Sequence, residues 1–184
     1  MTTLAAFLVL VALVALERLA ELVVSKRNAA WSFARDGVET GRRHYVWMVV
    51  LHSSFLVALV VEALVRRSDV PPGLAWSMLT VVVASQALRW WCIATLGRRW
   101  NTRVIVVPDL PPVTHGPYRL LSHPNYVAVV AEGLALPLVH GLWMTAVGFT
   151  VLNAVVLSVR LRVENAALAG LPAPGPTSRA DAHA

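Results

Sequence analysis

Two short stretches of this chain carry residue types that could do chemistry. The first reads Gly-Pro-Tyr-Arg-Leu-Leu-Ser-His-Pro-Asn-Tyr from Gly116 to Tyr126; the second holds Arg160 and Glu164, four residues apart. In the first, Gly116 lets backbone approach a ligand closely, and the prolines fix φ and stiffen the loop. Pro124 suits the first position of a helix, whose free N–H groups are then placed to hold an anion or carboxylate. In the second, a spacing of four puts guanidinium and carboxylate on one helical face. A carboxylate there suits a ribose or amino group, and a guanidinium suits a carboxylate or enolate. Plainer roles fit the same residues: a turn capped by His123, and a surface ion pair worth under about 1 kcal/mol.

The elements that must position these groups are apolar helices. The chain has 184 residues, 57% hydrophobic and 14% charged, with mean hydropathy +0.63. A soluble domain carries about 25% charged residues, so lipid is the expected solvent for so much apolar surface. A spanning helix needs about 20 mostly apolar residues. Candidates run from Thr3 to Val24, Tyr45 to Val65, Leu74 to Leu96, Pro124 to Val139 and Leu142 to Val159. The last two are joined at His140-Gly141 as a helical hairpin, and the fourth is short enough to be tilted or re-entrant. The expected fold is therefore all-α, a polytopic membrane bundle of about five helices. One membrane domain covers residues 1–169, its cofactor-binding part about 97–168, and an Ala/Pro/Gly-rich tail from 170 to 184 is expected to be disordered. The first apolar run lacks a basic lead and contains Glu17 and Glu21, so it reads as a retained anchor.

Net charge is +6, but the basic residues sit in short clusters between apolar runs rather than along a nucleic-acid track. Lys26, Arg27, Arg35, Arg42 and Arg43 follow the first helix, and Arg66 and Arg67 the second. Arg98, Arg99, Arg103 and Arg119 follow the third, the hairpin turn has none, and Arg160, Arg162 and Arg179 close the chain. Positive-inside bias then puts the N-terminus outside and the C-terminus in the cytoplasm, with the 97–125 connection and the end of the last helix on the cytoplasmic side. That topology brings His123, Tyr126, Arg160 and Glu164 to one membrane face. The lone Cys92 excludes an intrachain disulfide, and His44 and His52, eight apart, point in different directions, so no metal site is expected. Glu17, Glu21, His52, Glu62 and Arg89 lie inside apolar helices, where a carboxylate costs roughly 2.5–3.5 kcal/mol on insertion scales. They serve either packing, for example Glu17 with Arg89, or a lining for a substrate headgroup; packing is favoured for Glu62.

Taken together, Gly116-Pro-Tyr-(x4)-His-Pro-Asn-Tyr126 and Arg160-(x3)-Glu164-(x3)-Leu168 resemble the isoprenylcysteine carboxyl methyltransferase family. The resemblance implies a cytoplasmic S-adenosylmethionine pocket contacted by Gly116, Tyr118, His123, Pro124, Asn125, Tyr126 and Glu164, with Val113 and Arg103 at further upstream contact positions. It implies that Arg160 faces the substrate. Ser122 and Asn165 depart from the family's usual Arg and second Glu. Elsewhere, Glu17-Arg-Leu-Ala-Glu-Leu22, Ser25-Lys-Arg-Asn28, His44-Tyr45, Leu51-His52 and Gly97-Arg-Arg-Trp-Asn-Thr-Arg103 resemble a bacterial branch associated with type III polyketide synthases. That branch is viewed as O-methyltransferases of alkylpyrones and alkylresorcinols. The resemblance implies a bacterial inner-membrane enzyme, a lipophilic acceptor and a polyketide synthase in the same pathway.

Methyl transfer from a sulfonium is an in-line displacement, so positioning dominates. Arg160 is the expected catalytic group, holding the acceptor oxygen as an oxyanion; Arg160, Glu21 and His52 are the expected substrate contacts. The competing readings are carboxyl methylation of isoprenylcysteine-like substrates, an NADPH-dependent membrane reductase and a non-catalytic membrane scaffold.

Overall fold

The computed structural model describes residues 4–66, 69–108 and 110–171; most of the tail expectation therefore lies outside the described residues. Five α-helices carry the fold: α1 (Leu4–Phe33), α2 (Arg42–Val65), α3 (Pro72–Leu96), α4 (Pro124–Leu138) and α5 (Trp143–Ala169). Two 3-10 turns, Gly97–Arg99 and Gly116–Arg119, interrupt the α3–α4 connection. The all-α expectation needs one amendment. Strands β1 (Val38–Thr40) and β2 (Val104–Val106) pair antiparallel, with Glu39 opposite Ile105. This small ribbon ties the α1–α2 connection to the α3–α4 connection, so both lie at one end of the bundle.

Helix α1 runs nine residues beyond the expected end at Val24, because Ser25–Phe33 contains no Gly or Pro to stop it. Its buried face changes character on the way, from Phe7, Val11 and Val14 to Glu21, Ser25, Asn28 and Ser32. Helix α4 begins at Pro124, as its N1 preference predicts, and α5 runs well past Val159. Helices α2, α3 and α5 are long and apolar enough to cross a membrane: His44–Val65, Pro72–Arg99 and Trp143–Ala169. Helix α1 has the length but is broken by charges, and the 15 residues of α4 reach only about 22 Å, short of a bilayer core of about 30 Å. Exposed Val9, Leu13, Trp47, Val57, Val83 and Val155 give the bundle an apolar exterior suited to lipid.

The apolar core gathers Phe7, Val11, Phe55, Leu59, Leu136, Leu142 and Phe149 towards the hairpin end. There His140 stacks on Phe7 at 4.9 Å between ring centroids, and Gly141 turns the chain at φ 71. Glu62 serves packing in a definite way: its carboxylate accepts from Thr145 N at 2.8 Å, Thr145 Oγ1 at 2.6 Å and Met144 N at 3.3 Å. A carboxylate on α2 thus caps the first turn of α5, where orphan N–H groups and the helix dipole favour it.

The other buried charges join α1, α3 and α4. Arg89 pairs with Glu21 through Nε and through Nη2 at 2.8 Å, not with Glu17 as the sequence suggested. Arg18 grips both oxygens of Glu21 at 3.0 and 2.8 Å and also reaches Gln86 at 2.9 Å and Glu132 at 3.0 Å. Glu17 instead accepts from Trp90 Nε1 at 2.5 Å and lies 3.5 Å from Arg18.

Candidate functional site

At the end of the bundle that carries β1 and β2, the α3–α4 connection folds back over the start of α4 and the last turns of α5. Between them lies a cavity of about 230 Å³, lined from the loop by Trp100, Arg103, Val113 and Tyr118, and from the helices by His123, Asn125, Tyr126, Arg160 and Glu164. The loop is held from several sides. Arg99 Nη1 donates to the Pro111 carbonyl at 2.6 Å, and the β ribbon fixes Val104–Val106.

The polar centre is a chain of contacts between α4 and α5. The Tyr126 hydroxyl donates to the Glu164 carboxylate and accepts from Arg160 Nε at 2.6 Å. Arg160 and Glu164, one turn apart, are 3.9 Å from each other, so the phenol is wedged between guanidinium and carboxylate. His123 stacks on Tyr126 at 5.4 Å, with Nδ1 3.5 Å from Glu164 and Nε2 2.9 Å from Asn165 Oδ1. Asn165, a departure from the family pattern, therefore orients the histidine. Arg160 is only 5% exposed, yet it is fixed by three contacts: Tyr126, the Thr102 carbonyl at 2.7 Å and Met48 Sδ at 3.4 Å. Its Nη2 makes no hydrogen bond among the described residues, which leaves donor capacity for a ligand.

Eight of the sequence-predicted residues, Arg103, Val113, Tyr118, His123, Asn125, Tyr126, Arg160 and Glu164, line this one cavity. Two others support its wall. Pro124 is fully buried at the start of α4. Gly116, at φ 58, approaches α3 rather than a ligand: a Cβ there would meet Thr95 Oγ1 at 2.6 Å. The structure does not bring Glu21 and His52, the expected substrate contacts, to the cavity. Glu21 spends its acceptor capacity on Arg18 and Arg89, and His52 Nδ1 donates to the Met48 carbonyl at 2.8 Å while its ring meets Phe149 edge-on. Burial, with the Cys92 thiol beside it, pushes the Tyr118 hydroxyl above its ordinary value, so it stays a neutral donor. Sequence reasoning missed Ser32, Trp100 and the β2 residues. A signal for Ser32 existed: Glu21, Ser25, Asn28 and Ser32 repeat at helical spacing.

The residues present fit S-adenosylmethionine. Asn125 Oδ1 is buried without a hydrogen-bond partner among the described residues and can accept from an amino group. The Glu164 carboxylate, 25% exposed, offers a partner for ribose hydroxyls or an ammonium, and Arg103 offers a cation for a carboxylate.

Long apolar helices with a polar cavity at one end define an integral membrane protein. The isoprenylcysteine carboxyl methyltransferase (ICMT) family matches residues 78–170, from within α3 to the end of α5. Over 163 residues, 88% of this chain and 96% of the relative, the sequence is 36% identical to the uncharacterized protein YpbQ of Bacillus subtilis (strain 168). No solved structure matches. The chain belongs to the isoprenylcysteine carboxyl methyltransferase family, whose members are membrane methyltransferases.

Proposed function

We propose that the chain is an S-adenosylmethionine-dependent O-methyltransferase acting on a lipophilic acceptor of alkylpyrone or alkylresorcinol type at the membrane. The observation that carries this reading is the convergence of His123 at the N-cap of α4, Asn125 and Tyr126 in its first turn, and Arg160 and Glu164 from α5 on one cavity. When bound, S-adenosylmethionine supplies an electrophilic methyl group on a sulfonium. His123, Asn125, Tyr126 and Glu164 orient it and exclude water, and Arg103 neutralises its carboxylate. Arg160 would present its free Nη2 to the acceptor oxygen and favour its deprotonated form, the proton passing to solvent, so that this oxygen is the nucleophile for the methyl group. Held by Tyr126 and the Thr102 carbonyl, the guanidinium needs no reorganisation to do so.

The Lys and Arg distribution supports a cytoplasmic cavity, with the N-terminus outside, in a bacterial inner membrane. Alkyl chains would enter from the bilayer, and a type III polyketide synthase would supply such acceptors. Family membership favours a second reading, carboxyl methylation of an isoprenylcysteine-like substrate, in which Arg160 pairs with a carboxylate that needs no deprotonation. A labelled-methyl assay offering alkylpyrones, alkylresorcinols and a prenylated cysteine side by side decides between them. Labelling of the pyrone or phenol is expected; labelling of the cysteine ester alone overturns the first reading. Binding of NADPH without S-adenosylmethionine overturns both.

A further inference from the structure

A buried hydroxyl on α1 does work that neither the cavity lining nor the family-matched region contains. Ser25 is 4% exposed and sits where the loop after α3 passes closest to α1. Its Oγ lies 2.9 Å from Asn101 Oδ1, 2.8 Å from Thr102 Oγ1 and 3.1 Å from Thr102 N. One assignment satisfies all three contacts, with the Tyr45 hydroxyl, 3.5 Å from Thr102 Oγ1, then donating to it. The Thr102 N–H and O–H donate to Ser25 Oγ, and the Ser25 O–H donates to Asn101 Oδ1. The same Asn101 oxygen accepts from Arg103 N at 3.0 Å, while Asn101 Nδ2 returns to the Ser25 carbonyl at 3.1 Å. One turn on, Asn28 Nδ2 donates to the Trp100 carbonyl at 2.7 Å and the Gly97 carbonyl at 3.1 Å. Residues 97–103 are therefore clamped onto α1 by side chains that fill the loop's own polar groups.

The clamp points at one atom. With its amide and hydroxyl both fixed on Ser25, Thr102 directs its carbonyl to Arg160 Nη1 at 2.7 Å. We infer that Ser25 is a positioning residue for methyl transfer: acting through Thr102, it holds Arg160 in the orientation that receives the acceptor oxygen. This rests on the methyltransferase reading of the cavity and extends it to a helix that contributes no hydrogen bond to the Arg160–Tyr126–Glu164 centre. Removing the Ser25 hydroxyl takes the acceptor from the half-buried Thr102 amide, so the loop shifts and Arg160 loses its stop.

The test compares Ser25→Ala, Ser25→Thr, Arg160→Met and the Ser25→Ala/Arg160→Met pair in detergent or nanodiscs. Ser25→Ala is expected to lower kcat by about ten- to a hundred-fold, with a much smaller rise in the KM for S-adenosylmethionine because Arg103 is carried by the same loop. Ser25→Thr restores most of the rate, and the double variant is no slower than Arg160→Met alone. Independent multiplication of the two losses, or a weakened cofactor KM with kcat intact, overturns the inference. A second readout does not depend on turnover. In protein labelled with ¹⁵N-arginine, the Arg160 Nε–H is expected to exchange slowly in the wild type and rapidly in Ser25→Ala. If no acceptor is methylated, the reading of the cavity falls, while unchanged Nε–H exchange in Ser25→Ala separately defeats the role given to Ser25.

Discussion

The molecule contains two groups of buried acids and bases, and they are built differently. In the group joining α1, α3 and α4, Glu21 is 2% exposed in its side chain, and Arg18 and Arg89 occupy both of its oxygens. At the cavity, Glu164 is 25% exposed, its distances to Arg160 and His123 are 3.9 and 3.5 Å, and its closest bond is to a neutral phenol. The first group pairs all of its charges, although Gln86 Nε2 beside Arg18 is buried without a hydrogen-bond partner among the described residues. The second keeps unspent capacity: a free Arg160 Nη2, a partly open carboxylate and an orphaned Asn125 oxygen. Completed pairing marks scaffolding, and incomplete pairing at a cavity marks a place where something else completes it.

Breaking the paired group should unfold the protein rather than tune it. Glu21→Ala leaves two guanidiniums without their shared partner, and thermal denaturation in detergent should show a loss of about 3–5 kcal/mol. Breaking the open group should do the reverse. Arg160→Met is expected to cut methyl transfer about 10²- to 10³-fold with little change in melting temperature, read in single-turnover assays against S-adenosylmethionine affinity. Tyr126→Phe keeps the ring that His123 stacks on but removes the hydroxyl between Arg160 and Glu164; a loss of about ten-fold in kcat is expected. Glu62→Gln, which weakens the cap on α5 far from the cavity, should cost about 1 kcal/mol of stability and leave KM values unmoved. The smallest effect concerns pH. Tyr118 keeps its proton in the folded state above its ordinary value, whereas the unfolded chain loses it near pH 10. The unfolded state then binds fewer protons, so stability should fall as pH rises through that range, and Tyr118→Phe should flatten the decline.

Spacing and topology brought His123, Tyr126, Arg160 and Glu164 together, and the family resemblance added Arg103, Val113, Tyr118 and Asn125. The Gly-Pro-Tyr and His-Pro-Asn-Tyr runs and the Arg160/Glu164 pair converge because a tight turn at Gly141 returns α5 along α4, and short turns leave few topologies. Glu21 and His52, the expected substrate contacts, lie away from the cavity for a different reason. An acid inside an apolar helix announces cost, but only three-dimensional packing says whether a neighbouring helix has already consumed its capacity. The same limit explains the swap of Glu17 for Glu21 as the partner of Arg89: the two acids are one turn apart, and the register between α1 and α3 is not written in either helix. The β ribbon was invisible because three-residue strands carry too little alternation to read. Helix α1 looked finished at Val24 because the apolar run ends there, although nothing in Ser25–Phe33 opposes helix.

Glu62 has a mechanical consequence. It anchors the start of α5 to α2, while Met48, near the other end of α2, touches Arg160 near the end of α5. The α2–α5 seam is fastened near its ends and hollow between them: Leu51, Phe55 and Ala58 of α2 face Met144, Gly148 and Leu152 of α5 across an apolar cavity of about 480 Å³.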